Sequence, residues 1–478
     1  MTKRGTTKWA EEEFGAAQLG DIRRTRRLVK MAASAASRPS GKVAVVFDAM
    51  SEREGAYDFL ERDDHALAVA ESVFRATAKR TAGATRIFVA LDITSLHLND
   101  EGEEKIFGPI GSPNNGVRGL MVANAYAVHE SGVPIGLVDQ RYWIRGPYQV
   151  GTKQEQTVAN TFRPFDEKQG AYFVRAAARS IARLYEGGTT PWFVIDREGD
   201  NREILLALRE MPCDFTIRGN KNRTLTSKSD EQSVRESLML EKPLVKERVR
   251  IGGTRARKER TATIEVRAKK VALELRATRL EERELLELHA VLVTEAGAGA
   301  KRADALNWLL YTTAAIETPE QVAKVVASYR ARWRIEEFHR TWKQGHCNVE
   351  DARLRSVEAM MTWAVMLAAV ATRIERLKYL SRETPNEPAT IELDADEIDA
   401  LKVERESRYP NRDLTLPEMP TIKEATEWIA EMGGWTGKRA GPPGSITLAR
   451  GLERLAIYVR AMHDFFARAK KSRKNAGK

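Results

Sequence analysis

Ser328-Tyr-Arg-Ala-Arg-Trp-Arg-Ile-Glu-Glu-Phe-His-Arg-Thr-Trp-Lys-Gln-Gly345 puts a carboxylate and a row of cations on one helical face. Tyr329, Arg332, Glu336, Arg340 and Lys343 recur every three or four residues, which on a 3.6-residue helix makes one stripe. Ile335, Phe338 and Trp342 form an apolar stripe beside it, so the spacing predicts a helix with a core side and a charged side suited to a phosphodiester. Taken alone, such spacing describes an ordinary solvated row of salt bridges. Two further carboxylates change that reading. Asp92 closes the run Arg86-Ile-Phe-Val-Ala-Leu-Asp, and Asp196 closes Trp192-Phe-Val-Ile-Asp. Short apolar runs of this kind predict buried strands, and a carboxylate at each end would lie at the sheet rim where ligands collect. Each Asp taken by itself reads as a helix cap or turn residue and not as a ligand. Three carboxylates from two strands and a helix offer hard oxygen ligands, which favours Mg²⁺ or Mn²⁺ over zinc.

At this point the chain resembles a known family. Asp92, Asp196 and Glu336 look like the DDE triad of bacterial insertion-sequence transposases. Tyr329, Arg332, Glu336 and Lys343 match the Y-(2)-R-(3)-E-(6)-K signature of the IS-four group. The likeness also runs through Trp9-Ala, Leu19-Gly-Asp-Ile-Arg-Arg-Thr-Arg-Arg-Leu-Val, Glu54-Gly-Ala-Tyr-Asp-Phe, Asp92-Ile-Thr-Ser-Leu, Asp196-Arg-Glu, Asn307-Trp-Leu-Leu and Gly433-Gly. The signature helix is specific. The shorter pieces count through their order.

Composition agrees with a polyanionic partner: 78 Lys+Arg against 67 Asp+Glu give a net charge of +11, with a pI of about 9.5. The excess is uneven. Residues 1–42 carry a net +6, with Arg23, Arg24, Arg26 and Arg27 at its centre, and residues 468–478 hold six Lys/Arg and no acid. Cys213 and Cys347 are the only cysteines, which points to no disulfide framework and to a reducing cytosol. No secretory signal is expected. The longest apolar stretch, beginning Met360-Met-Thr-Trp-Ala-Val-Met, is too short to span a bilayer and reads as a buried helix. His346-Cys347 lacks partners at zinc spacing.

A chain of 478 residues is expected to hold two to four domains. Residues 1–70 read as basic and helical. Val117 to Val138 reads as strand, turn and strand, and Ala171 to Tyr185 as a helix leading to the Asp196 strand. Asp92 and Asp196 are 104 residues apart, but Asp196 and Glu336 are 140 apart, more than a strand, a helix and two loops require. Alternation within Leu244 to Leu275 and His289-Ala-Val-Leu-Val predicts a β-rich insertion at about 220–300; an unrelated third domain is the competing account. Thr384 to Pro420, rich in proline and acid, reads as a connector around a short helix, followed by a final helical pair up to Arg468.

The resemblance implies a mixed α/β, RNase H-like catalytic core at 71–375, interrupted by that insertion. It implies a transposon-end-binding domain at 1–70 and a helical dimerisation domain at 376–478. It also implies a cut-and-paste transposase, using two Mg²⁺ ions held by Asp92, Asp196 and Glu336, with Mn²⁺ as a substitute. Excision would pass through a hairpin intermediate and end in joining to target DNA. Partners would be double-stranded transposon-end and target DNA and a second copy of the chain, with no membrane, in the bacterial cytoplasm at the nucleoid. Tyr329, Arg332 and Lys343 would bind phosphates, Arg340 standing where the family commonly has Lys. Trp308 matches the family's base-stacking tryptophan, against the competing account of a core residue, and Arg218 aligns with another DNA contact. The alternatives are a nuclease of the RNase H superfamily and an inactive DNA-binding inhibitor of transposition.

Overall fold

Side-chain alternation along β1 (Arg86–His97) sorts the molecule into two cores. Ile87, Val89 and Leu91 join one buried cluster and Phe88 and Ala90 the other, as the two-residue period of a strand dictates. The computed structural model describes residues 5–476 except 63, 102–104, 113–114, 149–151, 224, 226–232, 253–258, 277–282, 298, 300–301, 303, 411–414, 438 and 440. The basic side chains beyond Arg468, singled out from the sequence, lie outside the described residues.

Among the described residues five helices precede β1: α1 (Gly5–Phe14), α2 (Ile22–Ser37), α3 (Val43–Val46), α4 (Met50–Leu60) and α5 (Ala66–Arg80). Asp21 starts α2 by accepting the Arg23 N–H at 2.8 Å. There follow β2 (Gly108–Pro109), β3 (Arg118–Val128), β4 (Pro134–Trp143), α6 (Lys153–Phe162), α7 (Ala171–Glu186), β5 (Thr190–Ile195), α8 (Arg202–Arg209), β6 (Asp214–Arg218) and α9 (Val234–Met239). Next come β7 (Val245–Ile251), β8 (Arg260–Arg276), β9 (Arg283–Glu295), β10 (Asn307–Thr312), α10 (Pro319–Ala331) and α11 (Trp333–Arg340). The chain continues with α12 (Val357–Glu383), α13 (Ala395–Arg408), α14 (Ile422–Met432) and α15 (Ser445–Ala476).

One ten-stranded sheet runs β2-β3-β1-β5-β6-β10-β9-β8-β7, with β4 also paired along β3. β3 and β4 form an antiparallel hairpin beside β1, and β5 and β6 then run parallel to β1. This mixed α/β sheet is consistent with the RNase H-like core of a DDE transposase. Beyond β6, the antiparallel strands β10, β9, β8 and β7 continue the same sheet. Helices α7 and α8 cover the Ile87 face, and α5, α10, α11 and α12 cover the Phe88 face.

The apolar run read from Met360 belongs to a longer helix than expected. α12 has 27 residues, enough by length and composition to cross a membrane, yet 83% of its apolar window is buried inside the protein. It threads the larger core, where Arg373 donates to both oxygens of Glu397 at 2.7 and 2.9 Å.

Candidate active site

The signature segment is not one continuous helix. α10, begun by a Thr318/Gln321 capping box with Pro319 in its first turn, ends at Ala331. α11 starts at Trp333, and Thr341–Gly345 form a π-helical turn. The extra residue in that turn re-aims the side chains after Arg340. Lys343, within that turn, donates to Thr94 Oγ1 at 3.1 Å, two residues along β1 from Asp92 and on the same face, with Glu350 at 3.7 Å. Arg332 and Glu336 stay in register across the break, Arg332 Nη2 donating to Glu336 Oε1 at 3.0 Å.

Asp92 does not end its strand, as the apolar run suggested. β1 continues five residues further because β3 pairs with it to His97. The rim arises on the other side, where β5 stops: Leu91 is the last β1 residue paired with it, opposite Ile195. Asp92 and Asp196 are thus the next residues on two parallel neighbours. Both share parity with Phe88, Ala90, Trp192 and Val194, the face that carries α11. Asp196 also satisfies the cap reading, since its Oδ1 accepts the Glu198 N–H at 2.8 Å and starts a short 3₁₀ turn. Gly199 closes that turn, where a Cβ would come within 2.8 Å of Ile195.

Burial, followed by the charges of Glu336, Asp196 and Glu198, outweighs the attraction of Arg332 and pushes the Asp92 carboxyl up to about 8. Arg332 Nη1 lies 3.4 Å from Asp92 Oδ1, so one guanidinium bridges Asp92 and Glu336. Among the described residues, no three His, Cys, Asp or Glu side chains enclose a point where an ion would sit. The donor chemistry nonetheless suits a hard divalent cation: Asp92, Asp196 and Glu336 offer only oxygens, and the charges of the other two help to destabilise Asp92 as an anion.

Burial has a consequence for stability. An unfolded Asp ionises near pH 3.9, whereas folded Asp92 holds its proton to about pH 8, so folding takes up a proton between these values. Asp92 therefore contributes stability below pH 4 that is lost as pH rises towards 8, by at most about 1.4 kcal/mol per pH unit. Without divalent ions, Asp92→Asn is expected to gain melting temperature relative to the unaltered chain from pH 4.5 to pH 8. A constant difference would mean that Asp92 is ionised throughout.

The remaining sequence-predicted residues divide. Tyr329 is buried, and burial raises its phenol despite the cations of Arg218, which hydrogen-bonds it, and Arg332. Trp308 is half-buried on the α11 face of β10, edge-on to Tyr329 with ring centres 5.1 Å apart. Arg340 is exposed. The arginines of α2 are separate from this site. Arg23 and Arg26 are exposed, Arg24 reaches Leu19 O and Asp64, and the Arg27 guanidinium abuts Gly55, where a Cβ would be 2.1 Å away. Sequence reading missed Glu198, Glu350, Asn124 and His339. Asn124 had left a signal, as the one amide within Val-Ala-Asn-Ala-Tyr-Ala-Val, and His339 lies one turn beyond Glu336.

Carboxylates gathered where a parallel strand ends, under a helix rich in arginine, are the residue types that suit hard cations and phosphate groups. Comparison with known families is more specific. Residues 6–65 match the family described as Transposase DNA-binding, and residues 163–373 match that described as Transposase DDE domain. The chain carries both domains, which supports a DNA transposase. Asp196 and Glu336 lie within the second match, and Asp92 precedes it.

Proposed function

We propose that this chain is a cut-and-paste transposase of the IS-four group, similar to the Tn-five transposase, with Asp92, Asp196 and Glu336 as its catalytic carboxylates. The observation that carries the reading is the adjacency of Asp92 and Asp196 on one sheet face, with Glu336 close enough to oppose ionisation of Asp92. Two Mg²⁺ ions, or Mn²⁺ in their place, would supply a lowered pKa for the attacking hydroxyl and charge stabilisation at the leaving oxygen. Asp92, Asp196 and Glu336 would hold them. The first reaction joins a water oxygen to phosphorus and breaks the P–O3′ bond, freeing a 3′-hydroxyl at the transposon end. That hydroxyl then attacks a phosphorus of the opposite strand, closing a hairpin and releasing the flanking strand's 3′-hydroxyl; water breaks the hairpin's new P–O3′ bond and restores the 3′-hydroxyl, which finally attacks a target phosphorus and displaces a target 3′-hydroxyl. Arg332, Lys343, Arg340 and Arg218 would bind phosphates with Tyr329, Arg332 exchanging its carboxylate partners for phosphate oxygens. Trp308 would receive a base turned out of the bent strand.

In this reading residues 1–70 bind transposon ends, 71–375 form the catalytic domain with strands β7 to β9 as an insertion, and 376–478 pair two copies in the bacterial cytoplasm. Two exposed cations of α2 supply a direct test. Each phosphate contact contributes about 0.9 to the slope of log K against log salt, so Arg23→Ala with Arg26→Ala is expected to weaken end binding and flatten that slope by about 1.8. An unchanged slope would place the main contacts elsewhere. The enzyme reading is tested by offering Mg²⁺ with duplex DNA bearing the terminal repeats and, separately, an RNA–DNA hybrid of the same sequence. Cleavage at the repeat boundary of the duplex supports a transposase. Preference for the hybrid would favour an RNase H-type nuclease, and binding without cleavage an inhibitor.

A further inference from the structure

Asp92, Asn124 and Gln140 form a row across three strands: Asp92 is paired in register with Asn124, and Asn124 with Gln140. His339, from α11, lies over the row. Every hydrogen bond in it has one sense. Tyr142 Oη donates to Gln140 Oε1 at 2.7 Å, Gln140 Nε2 donates to Asn124 Oδ1 at 2.7 Å, and Asn124 Nδ2 donates to His339 Nε2 at 3.0 Å. Since His339 Nε2 accepts, the proton of the neutral ring sits on Nδ1, which faces Asp92 Oδ2 at 3.5 Å. Asn124 and Gln140 are almost wholly buried, at 1% and 3% exposure, so the amides have little access to water as an alternative partner.

We propose that His339 is a positioning residue: its Nδ1–H, fixed in tautomer by Asn124, Gln140 and Tyr142, holds one oxygen of the Asp92 carboxylate and leaves the other turned towards a divalent cation. The inference rests on reading Asp92 as a metal ligand. A separation of 3.5 Å is long for such a bond, and contacts of this kind commonly shorten in the loaded complex. Outer partners of ligating carboxylates set metal affinity by fixing ligand orientation, and their loss typically costs about 10- to 100-fold. A ring that merely filled space would behave differently, because an apolar side chain of similar volume would replace it without harm.

The test is Mn²⁺ binding to the full chain, followed by electron paramagnetic resonance as loss of the free-ion signal, in parallel with thermal melts. His339→Leu keeps the volume and removes the donor; His339→Asn returns an amide N–H near the position of Nδ1. The expected result is an apparent Mn²⁺ dissociation constant about 10- to 100-fold higher for His339→Leu, with recovery to within about 10-fold of the unaltered chain for His339→Asn. Gln140→Leu, at the far end of the row, should weaken Mn²⁺ binding in the same direction and guards against a His339 variant that fails to fold. Unchanged Mn²⁺ affinity in folded His339→Leu, with affinity lost in Asp92→Ala, would overturn the positioning role alone. Unchanged affinity in Asp92→Ala as well would overturn the metal-ligand reading and this inference with it.

Discussion

Replacing Asp92, Asp196 or Glu336 by alanine is expected to abolish strand nicking while leaving transposon-end binding intact in Ca²⁺ or EDTA. The expectation comes from how the charge is arranged. Asp92 is half-buried within electrostatic reach of two other carboxylates and partly offset by Arg332, so the cluster gains most from a cation and loses most when a ligand is removed. Asp196 caps a single 3₁₀ turn, a role worth about 1 kcal/mol, and Asp92 costs stability when ionised. Nicking assays on a labelled duplex, paired with mobility shifts of the same variants, separate chemistry from binding. Full Mg²⁺-dependent nicking by any one variant would remove that residue from the triad.

Trp308→Ala is expected to slow hairpin formation by roughly 5- to 150-fold and first-strand nicking much less. An aromatic that receives an unstacked base contributes about 1–3 kcal/mol, and only the hairpin step requires the sharp bend that turns a base out. Trp308 is suited to this, being half-buried at the start of β10 on the face that carries Asp92 and Asp196, with Tyr329 bracing one edge. A purely structural tryptophan would instead lower stability by about 3–5 kcal/mol and depress every step together. Time courses of nicked and hairpin products, with a melt of the same protein, distinguish these outcomes. Equal loss of both products with a sharply lowered melting temperature would return Trp308 to the core.

How legible the site was in the sequence depended on what each residue's neighbours do. The apolar runs before Asp92 and Asp196 announced buried strands, and their common parity with Phe88 and Trp192 followed from period two alone. That Asp92 lies within its strand could not be read, because continuation to His97 depends on β3 hydrogen-bonding a stretch that β5 no longer reaches. The Arg332–Glu336 pair followed from four-residue spacing and is present. The π turn that carries Lys343 was not legible, since no propensity in Thr-Trp-Lys-Gln-Gly marks it. Strand β9 runs longer than His289-Ala-Val-Leu-Val suggested, pairing with β8 from Arg283 to Glu295 even where polar residues interrupt the pattern. Helix α12 likewise exceeded its apolar core, because buried Arg373, Glu375 and Lys378 find ionic partners inside the protein and so read as polar in sequence while lying in the interior. Arg332 bridging two carboxylates, and the His339 row, were beyond the sequence altogether. Both depend on which strands become neighbours.

The decisive experiment uses a DNA segment bounded by the element's own terminal repeats, incubated with the protein, Mg²⁺ and a target plasmid. Release of the segment with hairpin ends, followed by its joining to the plasmid, all lost in Glu336→Ala, is the expected result. Cleavage that ignores the repeats, or products that form equally well with Glu336→Ala or without a divalent ion, would contradict it.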